Sequence, residues 1–252
     1  MKKNLLALAL LVGLLTCCKS EDAPIKPVKP TDPGSINKEY MSRAETTFAN
    51  IFKYYWSDKV RMMFGSYPNT LGTPQEPSSP DYDSHAYLWG LGSVVSAFNA
   101  IVQNTDNVDF RMTYESRLKE TLLKYYNTTK EPMCFGCFVN PHDQRLYDDA
   151  IWVGIDLADL YSKTKDSWYL DYAKSVWNFV LSGKDDELGG GVYWDENAKD
   201  SKNTCSNAPA VVLALKLYQI TNDAAYLENG KDIYKWTKSK LQDPSDYLYW
   251  DC

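Results

Sequence analysis

Sliding the chain against itself by 57 residues lays one stretch onto another. Leu160, Tyr161 and Thr164 fall on Leu217, Tyr218 and Thr221. Asp166, Tyr169, Leu170 and Lys174 fall on Asp223, Tyr226, Leu227 and Lys231, with Val176 on Ile233 and Trp177 on Tyr234. Each copy is a helix, a Thr-x-Asp turn and a second helix, and the Asp sits where an N-cap carboxylate accepts free backbone N–H groups. Asn104-Thr105-Asp106 echoes the same turn more faintly. A helical hairpin cannot bury its apolar stripe by itself, so repeated hairpins must stack on one another. They then form either a superhelical array or a closed toroid of paired helices. The long, unequal loops between units favour the toroid, whose loops build a pocket at one end.

Apolar periodicity extends this reading to the rest of the chain. Seven helices are expected: 38–56, 85–103, 109–126, 149–162, 167–181, 207–219 and 223–238. The sixth is apolar nearly all round and is expected to be buried. No long alternating segment predicts a strand, and Gly189-Gly190-Gly191 marks a loop or short hairpin. The fold class is therefore all-α. The chain is acidic, with a net charge of −6, and no Lys/Arg run interleaves with aromatics, which argues against a nucleic-acid partner. It is rich in aromatics, with 19 Tyr and 8 Trp. Such rings pack well between helices, and they also stack on the apolar faces of sugars.

The N-terminus carries targeting information. Lys2 and Lys3 precede an apolar run, Leu5 to Leu15, too short to span a membrane. The following Leu-Thr-Cys resembles a bacterial lipobox with Cys18 as the lipidated residue, Cys17 being the poorer fit. Residues 1–18 are thus expected to be a lipoprotein signal peptide. Residues 19–35, with Pro24, Pro27, Pro30 and Pro33, are expected to be an extended linker, and 36–252 the folded domain. The expected location is the bacterial envelope, anchored by lipid, at the outer membrane and at the surface.

Three stretches carry chemistry. Tyr147-Asp148-Asp149-Ala150-Ile151-Trp152 sets two adjacent carboxylates before an apolar helix. Acids at a helix start often do no more than face its N–H groups. A carboxylate pair between aromatics also suits work on a glycosidic bond, because like charges held together split their pKa values. Gly189-Gly190-Gly191-Val192-Tyr193-Trp194 offers close backbone approach and two aromatics. Lys202-Asn203-Thr204-Cys205-Ser206-Asn207-Ala208-Pro209 opens the sixth helix, with Ser206 or Asn207 as its cap and two Asn side chains able to bind hydroxyls. Cys134-Phe135-Gly136-Cys137 with His142 has a metal-like spacing but too few further ligands for zinc. A surface disulfide or free thiols accounts for it better, and His85 and His142 read as structural.

Taken in order, the strings YDDAIWVGIDLADLY, LGGGVYWDE and SKNTCSNAPAVVLALKLY resemble glycoside hydrolase family 76, the endo-α-1,6-mannanase family. The likeness runs from about Ile36 to the end. It implies an (α/α)6 toroid, of which seven of twelve helices are seen here, so the domain is expected to be incomplete at its C-terminal end. It implies retaining cleavage of α-1,6-mannosidic bonds in mannan, with Asp148 as nucleophile and Asp149 as general acid/base and with no metal or organic cofactor. It places Tyr193, Trp194 and Asn203 along the cleft, and more softly Tyr82 and Asp83; Tyr147 and Trp152, the aromatics on either side of the acid pair, are expected to bind substrate as well. Ala150 stands where the family often has Asn. The alternative is a catalytically impaired, truncated surface lipoprotein that binds mannan without cutting it.

Overall fold

The computed structural model describes residues 38–68, 85–139 and 144–252. The lipobox, the linker, Tyr82, Asp83 and His142 lie outside the described residues. Seven α-helices are present among those described: α1 Lys38–Tyr55, α2 Leu88–Asn104, α3 Val108–Tyr125, α4 Tyr147–Thr164, α5 Ser167–Ser182, α6 Thr204–Thr221 and α7 Ala224–Leu241. Two small antiparallel pairs interrupt them: β1 (Trp56–Ser57) with β2 (Met62–Met63), and β3 (Tyr126–Asn127) with β4 (Cys134–Phe135).

Local chemistry explains the hairpin turns. Asp166 caps α5 by accepting from Trp168 N at 3.0 Å, and Asp223 caps α7 by accepting from Ala225 N at 2.9 Å. In both copies the Thr hydroxyl, of Thr164 or Thr221, accepts from the backbone N–H of the capping Asp. The residue between them, Lys165 or Asn222, takes the left-handed conformation that ends the preceding helix. The earlier hairpin uses a variant. Thr105 plays the same part, but the cap is Asn107 rather than Asp106, and its Oδ1 accepts from Phe110 N.

The hairpins stand side by side as an arc of an (α/α) toroid. Helices α2, α4 and α6 run parallel as the inner row, and α3, α5 and α7 back them. Polar bridges along the inner row recur at about the repeat length. Ser96 Oγ and Asn99 Nδ2 donate to Asp156, at 2.5 and 2.8 Å, and Lys216 Nζ pairs with Asp159 at 2.5 Å. Gly154 allows α4, α5 and α6 to close together, since a Cβ there would come within 2.9 Å of Val176 and 3.1 Å of Leu213. Around it Val153, Leu157, Val176, Leu213 and Leu217 are fully buried.

The sixth helix departs from expectation in two ways. It starts at Thr204, three residues early, because Asn203 and neither Ser206 nor Asn207 is the N-cap. Nor is it buried all round: Ala208, Val212 and Leu215 are exposed. The residues 57 positions earlier, Ile151, Ile155 and Ala158, are buried on α4. The difference is one of neighbours, because α4 has an inner helix on each side whereas α6 has one only on its α4 side among the described residues.

Candidate active site

The N-terminal ends of α2, α4 and α6 gather at one end of the inner row. Helix α4 begins at Tyr147, two residues earlier than the sequence suggests, so Asp148 and Asp149 lie inside its first turn. Successive helical residues diverge by about 100°, so the two carboxylates leave the helix on different flanks.

Asp148 turns toward α6. It accepts from the Trp194 indole, Nε1 to Oδ2, at 3.2 Å, and lies against the Cys205 thiol. Among the described residues no N–H or O–H donor reaches its other oxygen, Oδ1, which is buried. Asp149 turns toward α2 and is 9% exposed. Burial pushes its pKa up to about 6, the charge of Asp148 adds to that, and a hydrogen bond with the Cys137 thiol works the other way. Burial also drives both thiols up to about 12, so each stays protonated beside its carboxylate. One acid thus keeps an unpaired oxygen and the other holds a proton toward neutral pH. That division of roles is what acid-assisted nucleophilic substitution requires.

The remaining predicted residues divide into surface and support. Trp194 (37% exposed) and Trp152 (43% exposed) lie open beside the acids. Tyr147 and Tyr193 do not, at 1% and 2% exposed, and neither has a ring face free for a sugar. Tyr147 stacks on Phe179 with ring centroids 4.3 Å apart, which fixes the start of α4 from below. Tyr193 lies under the Lys202 ammonium, 4.3 Å from its ring centre. Asn203 is also buried; its Nδ2 donates to Asp251 at 3.0 Å while its Oδ1 has no partner among the described residues.

Two buried cations, neither singled out by the sequence reading, frame the site. Arg145 forms a two-pronged pair with Glu196, at 2.8 and 2.5 Å, and donates to the carbonyls of Lys130 and Pro132. It thereby ties the residues just before Asp148 to the segment that carries Trp194, where Tyr147 N also donates to Trp194 O. Lys202 donates to Asp185 Oδ1 and to the carbonyls of Asp185, Glu187 and Gly190. It holds the glycine loop together with Asn207, whose amide pairs with both the N–H and the C=O of Val192. Gly191 has φ +78°, and a Cβ there would sit 2.5 Å from the Trp236 ring. This glycine run is a scaffold packed on α7 rather than a ligand-facing loop.

Of the two readings of the cysteine pair, the structure bears out the free thiols. Cys134 and Cys137 are buried and free, so they form no surface disulfide. Among the described residues no cluster of His, Cys, Asp and Glu has the makings of a metal site.

The repeat could have located part of what sequence reasoning missed. Cys205 follows Asp148 by 57 residues, and Asp149 follows Trp89 by 60, the spacings of Asp159 with Lys216 and of Ser96 with Asp156. Cys137, brought in by a loop, has no such signal.

Comparison with known proteins places this arrangement. The family model described as Glycosyl hydrolase family 76 matches residues 39–252. The chain belongs to glycoside hydrolase family 76. A solved family 76 glycoside hydrolase from a bovine Bacteroides thetaiotaomicron strain is 31% identical, with a TM-score of 0.74 over 86% of this chain and 45% of that one. A second solved family 76 protein, a mannosidase of B. thetaiotaomicron VPI-5482, is 26% identical, with a TM-score of 0.72 over 84% of this chain and 57% of that one. A Schizosaccharomyces pombe protein, named provisionally as a mannan endo-1,6-alpha-mannosidase, is 30% identical over 114 residues, which are 41% of this chain and 26% of that protein. The family 76 chain described here thus spans about half the length of these solved relatives.

Proposed function

We propose that this protein hydrolyses α-1,6-mannosidic bonds of mannan with retention of configuration, using Asp148 as nucleophile and Asp149 as acid/base, from a lipid anchor at Cys18 in a bacterial envelope. Family membership supports a glycoside hydrolase, and the names of its relatives point to mannan. The observation that carries the mechanism is the division between the two carboxylates. Asp148 is held through one oxygen by the Trp194 indole and has no N–H or O–H donor on the other among the described residues, and Asp149 holds its proton up to about pH 6.

In the first step a carboxylate oxygen of Asp148 attacks the anomeric carbon. The bond to the leaving oxygen breaks, and the Asp149 proton goes to that oxygen. In the second step a water attacks the same carbon, Asp149 takes its proton, and the ester to Asp148 is released as carboxylate. The indole of Trp194 holds the Asp148 carboxylate in position.

The test is turnover of linear α-1,6-mannooligosaccharides by the mature chain, with the first-formed anomer followed by NMR. The α-anomer is expected first, with Asp148→Ala and Asp149→Ala both inactive. A first-formed β-anomer would remove the retaining mechanism. Sugar binding without any release would leave a mannan-binding lipoprotein as the better account.

A further inference from the structure

The segment that follows α7 folds back over the start of α6. Asp243 N donates to Leu248 O and Trp250 N to Leu241 O, which makes a tight reversal. Its outgoing end is fixed on α6 by three hydrogen bonds. Thr204 N donates to Asp251 O at 2.6 Å, Thr204 Oγ1 to Trp250 O at 2.5 Å, and Asn203 Nδ2 to Asp251 Oδ2 at 3.0 Å. Two free thiols, Cys205 and Cys252, are thereby brought to the same end of one helix. We propose that Cys205 and Cys252 are a disulfide-forming pair, oxidised by a small-molecule or protein disulfide, and that their bond latches residues 250–252 onto the start of α6.

Backbone reach supports the pairing. A trans peptide sets the Cα of Cys252 about 2.8 Å from Asp251 O, and so no more than about 5.5 Å from Thr204 N. Cys205 is the next residue, the second of α6, and helical Cα–Cβ bonds tilt toward the N-terminus. Its thiol therefore points back out of the helix end toward the docked segment, where it feels the charges of both Asp148 and Asp251. Bridged cysteines have Cα atoms about 4.4–6.8 Å apart. Cys252 is exposed and held by no hydrogen bond among the described residues, so it can swing into that range.

Exposure sets the order of events. Cys252 is exposed and Cys205 half-buried, whereas Cys134 and Cys137 lie in the core. The Cys252 thiolate attacks one sulfur of the oxidant, forming a mixed disulfide and releasing one thiolate. Cys205 gives its proton to that thiolate, attacks the Cys252 sulfur and releases the second. Two protein thiols and one oxidant disulfide become one protein disulfide and two oxidant-derived thiols. Burial and the charge of Asp148 push the Cys205 thiol up to about 12, so it acts second and slowly. After closure the sulfur beside Asp148 has no proton to offer. An exported chain meets such oxidants, a point that rests on the envelope location proposed above.

The experiment incubates the purified mature chain with oxidised glutathione at about pH 8. Remaining thiols are blocked with iodoacetamide without reduction, and tryptic peptides are read by mass spectrometry, with thermal unfolding alongside. The peptides carrying Cys205 and Cys252 are expected joined, two hydrogens lighter than the separate pair, with Cys134 and Cys137 still reduced. The bond closes a loop of about 50 residues, so Tm is expected to rise by about 5–10 °C, to fall back with dithiothreitol, and to stay put in Cys252→Ser. Glutathione retained on either cysteine, both thiols left reduced, a Cys252–Cys252 link between chains, or joined peptides without a rise in Tm would each overturn the proposal. None of these readouts involves hydrolysis, so the result is separate from the fate of the function proposed above.

Discussion

Asp149→Asn removes a carboxylate that folding makes costly to ionise. The folded chain raises that group from 3.8 to about 6. A shift of about 2 pKa units corresponds to about 3 kcal/mol. Because the shift is upward in an acid, the folded state keeps a proton that the unfolded state has already lost. The penalty is therefore nearly absent below about pH 4, grows as pH rises to about 6, and is complete above that window. Asparagine carries no such penalty. Unfolding free energies from urea titration, taken as Asp149→Asn minus wild type, are expected to rise by about 2.5 kcal/mol between about pH 4 and pH 7.5. Taking the difference cancels the titration of groups that do not sense Asp149, as well as any fixed gap between amide and protonated acid. A difference that stays flat within about 0.5 kcal/mol would show that Asp149 ionises like an ordinary surface acid. The argument that it is the proton donor would then lose its physical basis.

Two other substitutions test the scaffold beneath the acids. Gly191→Ala forces a side chain into a positive φ and against the Trp236 ring; a loss of at least about 2 kcal/mol is expected by thermal denaturation, and a neutral result would contradict the packing of the glycine loop on α7. Arg145→Ala leaves Glu196 without its main partner. Burial pushes that carboxyl up, but hydrogen bonds from Arg145 and then Lys130 outweigh it and hold the pKa below the usual value. A loss of about 3–5 kcal/mol is expected near pH 7, shrinking as pH falls through the carboxylate range, because a lowered pKa contributes stability only above the unfolded value. A loss independent of pH would mean that Arg145 acts through packing on Phe179 rather than through its charge.

Much of the fold was legible because its determinants are local. The Thr-x-Asp turns name their own caps, and a stripe of period 3.6 names a helix, so all seven helices were anticipated to within a few residues. Asp148 and Asp149 could be picked out because adjacent acids at a helix start form a compact pattern. Their division of labour was not legible. It depends on Cys137 and Trp194, brought from two loops, and on how deeply α2 and α4 bury one side of the first turn.

The aromatics show the same limit. Tyr147, Tyr193, Trp152 and Trp194 look alike as neighbours of a motif, yet two are buried supports and two are exposed faces. Sequence spacing sets which residues share a helix face. Which face meets solvent is set by the helix packed beside it, a relation between residues about 60 apart. The sequence by itself therefore determined the repeat, the helical hairpins and the acid pair, whose causes lie within a few residues of each other. Only the tertiary structure decided which acid is buried, which indoles stay open, and that Trp89 faces Asp149 across a cavity, because burial and charge coupling arise between segments that only folding brings together.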